Sequence, residues 1–331
     1  MTKNEMIKGR VFLLAATIIW GSAFIFQKMG MDHVGPFTFG LFRFCLGALA
    51  LLPVIWIADA TQRRKARTAS RTGVCNHTLL TGGLLCGVAN FVAGSLQQVG
   101  LVYTTAGKAG FITSMDIVIV PLLLIIMKRK VSRKIWISVA MACVGLYLLC
   151  ITESFSLQLG DGLVLGCAVA YSFQILLIDY YSEKTDPIRL SFITFMSAGL
   201  MSGIVAVIWE DIEWQAIVDC AVPILYVAIL EVCIAFTLQI VGQKYTPPAL
   251  AAIIMSMESV FAALCGGIFL HEVMTGREIL GCVIMFAAFL LSQLADTKMP
   301  LESHEKGELT CRYRVWCTIR GSNDVGRGQN A

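Results

Sequence analysis

Apolar residues come in long blocks along this chain and polar residues in short ones. Ten apolar stretches cover roughly 11–29, 37–59, 79–102, 108–127, 135–152, 160–181, 188–209, 221–243, 247–270 and 277–294. At 1.5 Å per residue, about 20 residues cross the hydrocarbon core of a bilayer as a helix. The pattern therefore predicts ten membrane-spanning helices. The breaks agree: Gly35-Pro36, Asp186-Pro187 and Thr246-Pro247-Pro248 fall between stretches one and two, six and seven, and eight and nine. A proline disfavours helix in the residue before it. The first run follows Lys3, Lys8 and Arg10 and has no small-residue cleavage site after it. It reads as the first span rather than a signal peptide.

The blocks repeat. Sliding the chain by 142 residues lays Gln239 on Gln97, Gly242 on Gly100, Tyr245 on Tyr103, Ser256 on Ser114 and the acid Glu258 on the acid Asp116. A second offset, 151, lays Pro187 on Pro36 and the aromatic Tyr171 on Trp20. An ungapped offset held through several helices signals internal duplication. Each copy has five helices, and an odd number makes the second copy enter the membrane in the opposite sense. The expected fold is an all-α polytopic membrane protein of two inverted five-helix repeats, 11–152 and 160–294, with the substrate path between them. Residues 1–10 are expected to be a cytoplasmic N-terminus. Residues 295–331, polar and without periodicity, are expected to be a cytoplasmic, disordered tail.

Composition strengthens the membrane reading. Of 331 residues 57% are hydrophobic and 15% charged, with a mean hydropathy of +0.74, against about 25% charged in a soluble domain. The net charge of +4 matters less than its placement. With the N-terminus inside, 22 of the 26 Lys and Arg fall on the inner side; only Lys28, Lys108 and Arg277 fall outside, and Arg43 lies within a span. The positive-inside rule then puts both termini in the cytoplasm, and the expected location is the cell membrane. The 12 Cys lie mostly in apolar runs with no metal-ligand spacing, as small buried residues do.

Four charges stand out well inside the apolar stretches: Arg43, Asp116, Glu231 and Glu258. Each costs roughly 2.5–3.5 kcal/mol on insertion scales, so each needs a reason. Arg43 is either packed against backbone carbonyls of a neighbour or anchors a carboxylate or phosphate. Asp116 and Glu258, as repeat mates, should meet across the pseudo-two-fold axis; the plainer reading has Asp116 capping locally with Thr113. Glu231 shares a helical face with Ala235 and Gln239, and Asn90, Gly94 and Gln97 form a similar stripe in the first copy. These polar groups either line a cavity or bond neighbouring helices. Trp20 and Tyr171 either pack or touch a ligand. Gly83-x-x-x-Gly87 and Gly162-x-x-x-Gly166 read as close helix contacts. Pro121 should kink the fourth helix.

Three quoted stretches carry a resemblance: WGSAFIFQK, PFTFGLFRFCLGAL and MESVFAALCGGIFLHEVMTGREILGCVIMFAAFLL. Together they resemble the EamA-type branch of the drug/metabolite transporter superfamily, over residues 11 to 294. The family usually has proline after the acid of helix nine, where Ser259 stands here, and the first copy has Lys130 where the second has Glu272. The resemblance implies a ten-helix transporter with a central cavity, moving amino acids, other metabolites or drugs, often outward.

Enzyme signals are absent: no nucleotide-binding glycine loop, no H-E-x-x-H, and only four His (His33, His77, His271, His304), all at helix ends or in loops. No cofactor, metal, catalytic residue or nucleic-acid partner is expected. The partners are the bilayer, a small solute and protons as a candidate coupling ion. Three carboxyls against one cation suggest a group that exchanges a proton or holds a substrate's amino group, with Arg43 on the substrate's carboxylate. The first expectation is therefore transport of an amino acid or related zwitterion by alternating access, with the outward direction implied by the resemblance alone. A drug or cationic-compound exporter of the same fold, or a passive small-solute channel, are the alternatives. The topology has a direct test. In a variant otherwise poor in cysteine, Arg67→Cys should resist a membrane-impermeant thiol reagent applied from outside intact cells; modification from outside would overturn the orientation.

Overall fold

The computed structural model describes residues 3–31, 33–65, 76–104, 106–150, 159–269 and 274–295, all within one compact unit, Met1–Ala295. The expectations for the tail and for most of the 152–160 boundary lie outside the described residues. Fourteen α-helices occur among them: α1 Lys3–Met31, α2 Pro36–Lys65, α3 Asn76–Tyr103, α4 Ala106–Thr113, α5 Asp116–Ile126, α6 Arg133–Cys150, α7 Leu159–Ser182, α8 Pro187–Trp209, α9 Trp214–Asp219, α10 Ala221–Tyr226, α11 Thr237–Gln243, α12 Pro248–Met255, α13 Glu258–Phe269 and α14 Gly276–Ala295. A π-helical stretch, Val227–Phe236, joins α10 to α11. They build ten spans long and apolar enough to cross a membrane. The fourth span is α4 with α5, the eighth α10 through α11, and the ninth α12 with α13. The first helix begins at Lys3, eight residues before its apolar run, so the expected N-terminal segment is already helical from there.

Two spans differ from continuous helices in the same way. At Ser114–Met115 the Met115 amide bonds to Ile112 O at 3.1 Å and the Ile117 amide to Ser114 O at 3.2 Å. At Ser256–Met257 the Met257 amide bonds to Ile254 O at 3.1 Å and the Ser259 amide to Ser256 O at 3.3 Å. These three-residue bonds tighten the turn and interrupt the α ladder, and they recur at the 142-residue offset. Ser256 Oγ also bonds back to Ile253 O at 2.8 Å, a contact that bends helices. Pro121 is not the cause of the interruption. α5 runs through it, and the mate of Pro121 in the second copy is Ala263.

The spans pack in a pattern that survives exchange of span n with span n+5. α2 lies along α8 and α6 along α14; α3 packs on α7 as the eighth span packs on α1; α3 packs on α8 as the π-helical stretch packs on α2. At two of these contacts, α1 with the eighth span and α3 with α7, glycines meet. A Cβ on Gly9 would lie 2.8 Å from Gly242 O, and one on Gly242 2.8 Å from Gly9 O; Gly160 and Gly100 meet in the same way, at 2.7 and 3.2 Å. Any side chain there would push the helices apart. The two contacts are mates, Gly9 with Gly160 at 151 and Gly242 with Gly100 at 142. Gly83 and Gly87 seat against Ile193 and Ser197 of α8, but Gly162 has nothing within 4 Å. The second glycine motif is therefore no close contact at its first position.

The α2–α8 pair is antiparallel and clasped at both ends. At one end Arg189 Nη2 donates to Asp59 Oδ1 at 2.6 Å. At the other the Glu210 carboxylate accepts from the Phe37 amide at 2.9 Å and from the Thr38 amide and Oγ1, each at 2.7 Å. Asp59 maps on Glu210, and Thr38 on Arg189, at the 151-residue offset. An acid closing the last residues of one span thus satisfies the first residues of its mate, twice over. Asp186 caps α8 in addition, accepting from the Ile188 and Arg189 amides at 3.0 Å. The outward faces carry exposed Leu200, Ile204 and Val207, with exposed Trp56, Trp209 and Trp214 near span ends, where aromatic residues sit at the membrane interface.

The clasps differ in expected worth. Glu210→Ala removes a helix cap, a loss of about 1 kcal/mol within the usual range for caps. Asp59→Ala removes a half-exposed ion pair of ~0–1 kcal/mol. Thermal unfolding of purified protein should therefore show the larger fall in Tm for Glu210→Ala; an equal or smaller fall would mean that Glu210 does not hold the start of α2.

Candidate functional site

The breaks in the fourth and ninth spans place one acid each. Asp116 is the first residue of α5 and Glu258 the first residue of α13. A helix start carries free N–H groups and partial positive charge, which favours an acid there. The interrupted segments touch: α5 packs on α12, and Ser114 Oγ lies 3.2 Å from Ser259 Oγ. Discontinuous helices meeting inside a transporter are the usual scaffold of a midplane site.

Between the halves lies a cavity of about 730 Å³ of empty volume, counting its open part. Five pairs of repeat mates line it: Trp20 with Tyr171, Gln97 with Gln239, Thr113 with Met255, Ser114 with Ser256, and Asp116 with Glu258. Gln27, Gln174, Glu231 and Phe236 add to one side or the other without a lining mate. All of these come from spans one, three, four, six, eight and nine. Trp20 packs edge-on against Phe236, with centroids 5.0 Å apart.

Glu231 is held at the middle of the π-helical stretch and is buried. Widened turns of this kind recur at functional sites. Its Oε2 accepts from Gln27 Nε2 at 2.9 Å, and Gln27 Oε1 accepts from Gln98 Nε2 at 2.9 Å. Its Oε1 accepts from Arg43 Nη1 at 3.4 Å, an ion pair whose side chains are only 3% and 5% exposed. The Arg43 guanidinium also lies 4.5 Å from the Phe44 ring centroid. Seven of the nine residues singled out from sequence thus line the cavity. Arg43 stands behind the lining, bonded to Glu231 rather than to backbone carbonyls. Asn90 is buried outside the lining with neither amide atom partnered. Ala235, on the face expected of Glu231, is not part of the wall either, because the π-helical turn breaks the four-residue register. Gln27 and Gln98 were missed, although a glutamine inside the apolar run of WGSAFIFQK was a visible signal.

Charge in the wall is unbalanced. Among the described residues no cation pairs with Asp116 or Glu258, and Asp116 Oδ1 has no hydrogen-bond partner. Gln97 Nε2, not Asp116, reaches Thr113 Oγ1, at 3.3 Å. Trp20 Nε1, Gln174 Nε2 and Gln239 Oε1 are likewise buried and unpartnered. The described residues hold no group of three or more His, Cys, Asp or Glu able to bind a metal ion. The wall thus offers two acids without a cationic partner among the described residues, several neutral hydrogen-bonding groups and aromatic faces.

A family model for EamA-like transporters matches the chain twice, over residues 7–151 and 158–294. The chain belongs to the EamA-like transporter family. It is accordingly a multi-pass membrane protein and a secondary transporter of small molecules, not an enzyme. An uncharacterised transporter of Archaeoglobus fulgidus is 30% identical over 85% of this chain and 84% of its own. The threonine/homoserine exporter RhtA of Salmonella typhimurium is 28% identical over 43% of this chain and 47% of its own. A solved crystal structure superposes with a TM-score of 0.69 over 87% of this chain and 97% of its own, at 15% identity, a likeness of fold alone.

Proposed function

We propose that this EamA-like transporter moves a small metabolite bearing an amino group, an amino acid or related zwitterion, outward across the cytoplasmic membrane. It does so by alternating access between two inverted five-helix repeats, with protons as the coupling ion. The observation that carries this reading is the pair of mated acids, Asp116 and Glu258, at the starts of two broken helices in one cavity, with no cation paired to them among the described residues. A carboxylate so placed suits an ammonium group or a proton, and releasing one for the other couples their movements.

Several observations support the inverted arrangement. The mates α2 and α8 run antiparallel, the glycine contacts and end clasps recur at the two offsets, and the family model matches each half separately. The division into 11–152 and 160–294 comes from the sequence repeat, and the separate matches over 7–151 and 158–294 support it. The Lys and Arg bias supports cytoplasmic termini. The likeness to a threonine/homoserine exporter supports both an amino-acid substrate and outward transport. One further observation favours a second substrate class: Trp20, Tyr171 and Phe236 beside the acids also suit a bulky organic cation.

Counterflow in proteoliposomes tests the reading. Vesicles loaded with unlabelled threonine should accumulate labelled threonine transiently, which a passive channel cannot do, and tetraphenylphosphonium should compete poorly. Asp116→Asn and Glu258→Gln should each lower pH-driven transport at least about ten-fold, the scale of one lost buried charge interaction, while exchange without a pH gradient persists. Wild-type rates and unchanged pH dependence in both variants would overturn the acid-coupled mechanism, and strong block by the organic cation would select the second class.

A further inference from the structure

Among the places where the duplication fails, one is a whole linked group of side chains. The linked side chains Gln98, Gln27, Glu231 and Arg43 map, at the 142 and 151 offsets, on Ile240, Ile178, Ala89 and Thr194. One region therefore holds a buried ion pair and two amide hydrogen bonds. Its mate holds two buried isoleucines, an alanine and a threonine whose Oγ1 is buried without a partner.

All four polar residues lie toward one end of the molecule. Gln27 is about 10 Å beyond Trp20 toward the end of α1, at 1.5 Å per residue. Gln98 is near the end of α3, Arg43 near the start of α2, and Glu231 in the first half of the eighth span. The same end is closed further by Phe26 stacked on Tyr226, centroids 3.8 Å apart, and by Ser22 Oγ at 2.8 Å from Tyr226 Oη. The mates of Phe26, Ser22 and Tyr226 are Leu177, Phe173 and Leu84, all apolar.

From this asymmetry we infer that the Gln98–Gln27–Glu231–Arg43 network is a latch on one of the two gates, with Gln27 and Gln98 as positioning residues for Glu231. The inference rests on the alternating access proposed above. The latch joins three spans of the first half to one of the second. A buried ion pair is a poor source of stability compared with packed apolar residues, so its presence on one side alone points to switching. Opening the latched gate parts a buried ion pair and the amide bonds that steady it; the mated positions at the other end hold no ion pair, and the Arg129–Asp179 pair beside them is partly exposed. With the N-terminus inside, the latched gate is the outer one, and the carrier without substrate rests closed to the outside. Glu231 belongs to both the latch and the cavity wall, so a substrate ammonium reaching it competes with Arg43 and loosens the gate from within.

The test transplants the mates. Thr113→Cys, in the cavity wall of a variant otherwise poor in cysteine, reports access to an impermeant thiol reagent in right-side-out and inside-out vesicles. The conservative Gln98→Leu should raise its labelling from outside about five-fold, the effect of one buried hydrogen bond on a two-state equilibrium. The variant Gln27→Ile/Gln98→Ile/Arg43→Thr/Glu231→Ala should raise it further without raising labelling from inside. A rise from inside only would keep the latch and overturn the membrane orientation. No change on either side, or an equal rise on both, would overturn the latch. If the fourfold variant fails to reach the membrane, Gln98→Leu alone decides.

Discussion

Within the hydrocarbon layer no water is available to satisfy a peptide group or a charge. Irregular backbone and ionised side chains are therefore expensive there, and in this protein they coincide. The two interrupted spans break immediately before Asp116 and Glu258, and the π-helical stretch is centred on Glu231. Each irregularity carries an acid to the same cavity. The breaks do more than expose backbone: the freed N–H groups at the starts of α5 and α13 supply local positive potential where an acid stands. Backbone irregularity and site chemistry are thus one feature, because a continuous helix would bury these carboxylates without free N–H groups beside them.

The duplication extends from residue types to contacts. Gly9 against Gly242 and Gly160 against Gly100 are one contact made twice, and so are Asp59 with Arg189 and Glu210 with Thr38. In the second case the chemistry differs while the geometry is kept. One clasp uses a guanidinium, the other a helix start, and both present donors to a carboxylate. Two copies of a helical unit can be held against each other by any donor at that place, so identity drifts while position does not. The same logic makes the Gln98–Gln27–Glu231–Arg43 network stand out, since its mates keep neither the donors nor the acceptors.

Much of this was legible from the residue pattern. Ten spans follow from apolar run length, and their boundaries from Pro36, Pro187 and the pair at 247–248. The acids announced themselves because a charge in an apolar run has few excuses. The interruptions at Ser114 and Ser256 were not read, since neither carries a glycine or proline; their signal was the recurrence of Ser-Met-acid in both copies. Pro121 drew attention instead, and the helix runs through it. Partners were the least legible element. Gln27 meets Glu231 across 204 residues, and nothing local to either position predicts which polar group in an apolar run faces which.

The position of Arg43 changes what the cavity asks of a substrate. Read from sequence, Arg43 was the natural anchor for a carboxylate, leaving the acids for an amino group. In the structure its guanidinium lies behind the wall, paired with Glu231 and set over the Phe44 ring. A zwitterion in the cavity would therefore place its amino group near Asp116 or Glu258 and turn its carboxylate to neutral donors. Trp20 Nε1 and Gln174 Nε2 are buried in that wall with no partner of their own. A hydrogen bond from a neutral donor is weaker than one from a guanidinium. For a carrier that is an advantage, because a substrate clamped at both ends by full charges would leave slowly, and each cycle ends in release. Arg43 held in the latch, rather than in the cavity, keeps that strong interaction for the protein's own conformational change.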